Sequence, residues 1–152
     1  MAVCTKVNGK QSRKQPSLPR GLTQSAARLG RLFYAGQADK ITTAYGLGKV
    51  VATAFSLRGG RGEQAIEELA VHAGIPPADL QDFHKLYRAF DSDFIKKCGT
   101  RTTRSGFRIT LDHLLILSEI DCLPQRAEMV EEFYVAELSV ELLQARIGLD
   151  LE

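Results

Sequence analysis

Acidic residues are almost missing from the first 62 positions of this 152-residue chain, where Asp39 stands alone against eleven lysines and arginines. From Ile109 to Glu152 the imbalance reverses, with ten acids and only Arg126 and Arg146 as counterweights. A net charge of +2 conceals this split. It suits either nucleic-acid binding by the basic part or pairing of basic with acidic surfaces, within or between chains. Cysteine is scarce as well. Cys4, Cys98 and Cys122 are odd in number and form no CxxC pair, which argues against a disulfide framework and a zinc site. No apolar run of about 18 residues exists, and the N-terminus carries no apolar stretch of signal-peptide length. The expectation is a cytoplasmic protein that avoids membranes.

Enzymatic signatures are missing too. His72, His84 and His113 do not form HExxH or another compact metal pattern, and no serine or cysteine lies in a nucleophile motif. Packing or capping is the simpler role for each histidine. The segment YGLGKV lacks the third glycine and the strand context of a dinucleotide loop, and it is no Walker A sequence. No enzyme, cofactor or metal is expected.

What is present reads as helix. Glu63 to Phe90 has the pattern of helix, tight turn, helix. Ile66, Leu69, Ala70 and Ala73 form one apolar face, Gly74 stops the first segment, and Pro76-Pro77 open the second. Leu80, Phe83, Leu86 or Tyr87, and Phe90 give that second helix its own apolar face. The spacing fits a helix-turn-helix, although Asp79 and Asp82 near the start of the second helix would meet phosphates unfavourably. A helical pair that only packs the core is the plainer alternative.

Around this pair the fold class is all-α: a basic tail over residues 1–20 and a single multi-helix domain over 21–152. Thr23 or Ser25 can cap a helix carrying Ala26, Leu29, Leu32 and Phe33, and a second helix runs from Asp39 through Phe55. Gly46 and Gly48 mark either a kink or close helix packing. Asp91 or Ser92 can cap a short helix. Thr110 can cap another running to about Ile120, and Leu123-Pro124 start a helix with Ala127, Val130, Phe133 and Tyr134 inward. Ser139 opens a last one, with Leu142, Leu143 and Ile147 packed and Gly148 at its end.

The candidate contacts to nucleic-acid phosphates lie mainly in loops. SLRGGRG contributes Arg58 and Arg61, and the second central helix contributes Lys85. Thr100 to Arg108, TRTTRSGFR, contains no acid, and Lys96 and Lys97 precede it. Arg101, Arg104 and Arg108 bring forked donors, and Thr102, Thr103 and Ser105 bring short hydroxyls. This segment is either a β-hairpin wing or an irregular loop. Lys6, Lys10, Arg13, Lys14 and Arg20 can add unspecific phosphate contacts from the tail.

YGLGKVVATAFS, GIPPADLQDFHKLYRAF, ITLDHLLILSEI and LSVELLQARI together resemble the N-terminal helical domain of the YhcG-like nuclease family, over about two thirds of the chain. The resemblance implies a helix-turn-helix or winged-helix-like domain that acts on DNA. It does not extend to the nuclease domain, because no E-x-K or D-x-K triplet is present. SVELLQARI is similar as well to the helical DNA-binding core of ParB-like proteins. The expected function is a non-enzymatic DNA-binding regulator or accessory protein. The alternative is a helical protein–protein interaction module that keeps the fold without binding DNA. The acidic C-terminal helices are the candidate surface for a homodimer or another protein partner.

Overall fold

The computed structural model describes residues 18–36, 39–58 and 62–151. Among them are eight helices: α1 (Arg20–Ala35), α2 (Lys40–Arg58), α3 (Gly62–Ala73), α4 (Pro77–Ala89), α5 (Ser92–Cys98), α6 (Leu111–Leu117), α7 (Leu123–Ala136) and α8 (Val140–Leu151). None is long and apolar enough to cross a membrane.

The organising element is α2. It packs against α1, α3, α4 and α5, and most extensively against α4. Ile41, Thr43, Ala44, Leu47, Val50, Val51 and Ala54 are all buried, a broad face that only a helix enclosed on several sides can bury. Two glycines set the spacing of this bundle. A Cβ on Gly48 would lie 2.1 Å from the Phe83 carbonyl oxygen of α4, and one on Gly30 would lie 2.0 Å from that of Ala73 in α3. Gly48 therefore serves close packing, and α2 runs through both of its glycines as one helix. Truncating a fully buried leucine of this core, such as Leu47, Leu69 or Leu86, would cost about 2–5 kcal/mol.

The α3–α4 pair has the expected turn. Gly74 takes φ 69°, its N–H and that of Ile75 both return to the Ala70 carbonyl, and Pro77 opens α4. The two helices nonetheless rest mainly on α1 and α2 rather than on each other. The second half is smaller: α6 contacts α4, α7 and α8. Its core takes in Ile109, Leu114, Leu117, Ile120, Met129, Phe133 and Leu143.

Several expectations change. The hairpin wing is absent, since no strand occurs among the described residues. Thr103 N–H reaches the Phe107 carbonyl at 2.7 Å, but the Thr103 and Ser105 side chains bond Glu137, which holds the loop as an isolated turn. Leu18, grouped with the tail by sequence, is buried and its N–H donates to Glu68; residues 1–17 lie outside the described residues. The helix assigned to a Thr23 or Ser25 cap begins earlier, at Arg20, and the Thr23 hydroxyl instead bonds back to the Arg20 carbonyl. Ala127 points outward and Arg126 inward. Leu142 is exposed, and α8 continues through Gly148 to Leu151. α6 stops at Leu117, where Ser118 returns its hydroxyl to the Leu114 carbonyl.

Candidate nucleic-acid interface

The loop arginines are not equally free. Arg101 makes a two-pronged ion pair with Glu131 of α7, at 2.8 Å for each bond, and its guanidinium lies 3.7 Å from the ring centre of Tyr134. The pairing holds the Glu131 carboxyl below its usual range. A phosphate at Arg101 would therefore meet a neutralised cation beside an acid.

The hydroxyls of this loop are engaged in the same way. Glu137, which caps α7 in a left-handed conformation at φ 53°, accepts bonds from the Thr103 hydroxyl at 2.5 Å, the Ser105 N–H at 2.9 Å and the Ser105 hydroxyl at 3.0 Å. These bonds depress the Glu137 carboxyl, Thr103 first, with a smaller contribution from nearby Arg104. The turn thus has the donors for an anion and gives them to an internal carboxylate. Arg104 is exposed within it and Arg108 just after it, and Lys96 and Lys97 are exposed at the end of α5.

Lys85 lies apart from that group. It lines a depression of about 570 Å³ with Arg88, Arg126, Ser118, Glu119 and Asp121. Burial raises the Asp82 carboxyl, and Asp79 and Glu119 push it further while Lys85 opposes them. This end of α4 is a mixed-charge surface. Arg126 is buried without a carboxylate partner among the described residues; its three bonds go to the Ile120 carbonyl, at 2.9 and 2.6 Å, and to that of Ala89, at 2.7 Å. It ties the end of α4 to the α6–α7 turn. Arg58 ends α2, but its side chain and the whole of Arg61 lie outside the described residues.

A surface the sequence reading overlooked is the outer face of α1. Thr23, Ala26 and Gly30 are buried, with Leu22, Leu29 and Phe33 packed beside them. That fixes which side faces out. Arg20, Gln24, Arg28, Arg31 and Tyr34 then fall within roughly a third of the helix circumference, given 3.6 residues per turn. All five are exposed. α1 contains no acid, and none of its arginines forms an ion pair among the described residues, unlike Arg101 and Arg146, which pair with Glu131 and Glu132.

Small side chains lie among the arginines of this face. Gly21, Gln24, Ser25, Ala27, Arg28 and Arg31 line a shallow depression of about 480 Å³. The positive end of the helix dipole lies at Arg20. The one acid of the basic half, Asp39, is occupied at the start of α2, where it accepts from the Ile41 N–H and the Thr42 hydroxyl. Helical spacing of the arginines was the available signal.

Two of the three histidines pack inside the fold, while His72 is exposed in the last turn of α3. His113 Nε2 donates to the Leu138 carbonyl at 2.8 Å, Nδ1 accepts the Thr110 N–H, and the ring packs edge-on to Phe133. His84 packs against Phe55, and burial, followed by Arg88, disfavours its charged form. Burial also pushes the Cys98 thiol up to about 11. Among the described residues no three His, Cys, Asp or Glu side chains gather as a metal site. No protein-family model, curated protein or solved structure matches the chain.

Proposed function

We propose that this protein is a non-enzymatic DNA-binding accessory factor that holds the phosphate backbone on the outer face of α1. The observation that carries the reading is an acid-free helical face on which Arg20, Arg28 and Arg31 have no ion-pair partner among the described residues. From Arg20 to Arg31 the face spans about 16 Å at 1.5 Å per residue, enough to meet phosphates on both sides of a groove about 12 Å wide. Arg104, Arg108, Lys96 and Lys97 are a secondary set. Arg101 belongs to the fold rather than to the contact. Kinship with the YhcG-like N-terminal domain is part of this proposal and agrees with a DNA-facing role.

The test is fluorescence anisotropy with a random-sequence DNA duplex across a salt series. The expected result is salt-dependent binding, with the slope of log affinity against log salt falling by roughly 2 in the Arg28→Gln/Arg31→Gln double variant. Arg101→Gln should leave affinity nearly unchanged. Full affinity in the α1 double variant would remove α1 as the contact surface. Absence of binding by the wild-type chain to both duplex and single-stranded DNA would reject the function.

A further inference from the structure

Tyr34 is 61% exposed at the end of the arginine face, one turn beyond Arg31. An exposed tyrosine by itself is unremarkable on a protein surface. This one is supported from behind. Its ring meets Phe33 edge-on, with centres 5.5 Å apart, and Phe33 rests on Phe83 of α4 at 5.4 Å. Lys40 caps Phe33 at 5.4 Å. The ring therefore stands on a packed aromatic column, beside a cation and in line with three more.

Bound duplex hides its base faces and offers only phosphates and groove edges to such a surface. A single strand offers both phosphates and open base faces, and stacking on an aromatic ring is the interaction that distinguishes it. Resting on the DNA-binding reading above, we infer that α1 is a single-strand site: Arg20, Arg28 and Arg31 hold phosphates along the outer face of the helix, and a base stacks on Tyr34. The small residues Gly21 and Ser25 beside Arg28 let the sugar–phosphate chain approach the helix closely. Gln24, exposed between the arginines, supplies an amide to a sugar or base edge without demanding one base.

The experiment titrates the full chain with a random-sequence single strand and with the matching duplex, using wild type, Tyr34→Ala and Tyr34→Phe. Tighter binding of the single strand is expected. Tyr34→Ala should weaken it roughly tenfold or more while changing duplex affinity little, and Tyr34→Phe should behave as wild type. The chain has no tryptophan and four tyrosines, of which Tyr34 is the exposed one. Intrinsic tyrosine emission should therefore fall on single-strand binding, and this quenching should vanish in Tyr34→Phe. Equal loss of both DNA forms in Tyr34→Ala, or no loss of either, would overturn the stacking site and leave phosphate binding standing. Failure of the wild-type chain to bind either form would overturn the DNA-binding reading itself.

Discussion

Alanine at position 48 would place a methyl carbon 2.1 Å from the Phe83 carbonyl oxygen, 2.8 Å from its carbon and 2.9 Å from Tyr87 Cβ. The oxygen and carbon belong to the α4 backbone, so no rotamer change relieves the overlap. The two helices must separate by about 1 Å to restore normal contact, and a gap of that size forfeits about a quarter to a half of the dispersion attraction across it. Overpacking of this kind costs about 1–3 kcal/mol, and the rigid obstacle argues for the upper end. Against it stands a gain of about 1 kcal/mol from replacing glycine within a helix. The net expectation for Gly48→Ala is a loss of about 2 kcal/mol, equivalent to a melting-point drop of about 4–8 °C in a chain of this size.

Gly46 provides the internal control. It is two residues away in the same helix, and its added Cβ would meet only the flexible end of Leu29, at 3.4 Å. Gly46→Ala should be neutral or stabilising by up to about 1 kcal/mol. Urea unfolding of both variants, with unchanged m-values, measures the difference. Gly48→Ala as stable as Gly46→Ala would refute the claim that close approach of α2 to α4 organises the bundle.

Two further expectations follow from the C-terminal half. Arg126→Met should lose about 3 kcal/mol, because it strips the hydrogen bonds from the buried Ile120 carbonyl and the half-buried Ala89 carbonyl, and Arg126→Lys should recover little of it, since one ammonium cannot reproduce the fork; equilibrium unfolding decides. Glu137 has a folded-state pKa below its ordinary value, so its contribution is present above the unfolded carboxylate range and fades as pH falls through the folded value. Amide hydrogen exchange at Ser105 should accordingly quicken in acid in the wild-type protein, and already be quick near neutrality in Glu137→Gly. A Ser105 amide that stays protected in that variant would count against the carboxylate as the loop's anchor.

Local signals were legible. Asp91 caps α5 by accepting the Phe94 N–H, Thr110 caps α6, and Ser139 receives the Leu142 N–H at the start of α8. Each of these acts within three residues, the range over which side chains compete for backbone groups. Gly74 was readable for the same reason. The loop Thr100–Arg108 was not, because its conformation depends on Glu131 and Glu137, some 30 positions away. Arg126 reads as a surface charge until the Ala89 carbonyl, 37 residues earlier, is placed beside it. The face of α1 was within reach of helical spacing, but reading Arg20 as tail broke the row of arginines at its first member.

Arg126 also determines where the polypeptide can be divided. A protease cut in the turn just after Ile120 would put the guanidinium on one fragment and both of its acceptor carbonyls, Ala89 and Ile120, on the other. The released C-terminal piece would carry an unpaired cation on its apolar side, flanked by Met129 and Val130, which are buried in the intact chain. Separation would thus expose polar and apolar groups together on both pieces. Nicked protein should therefore persist as a non-covalent complex, with its two fragments migrating as one species until denatured.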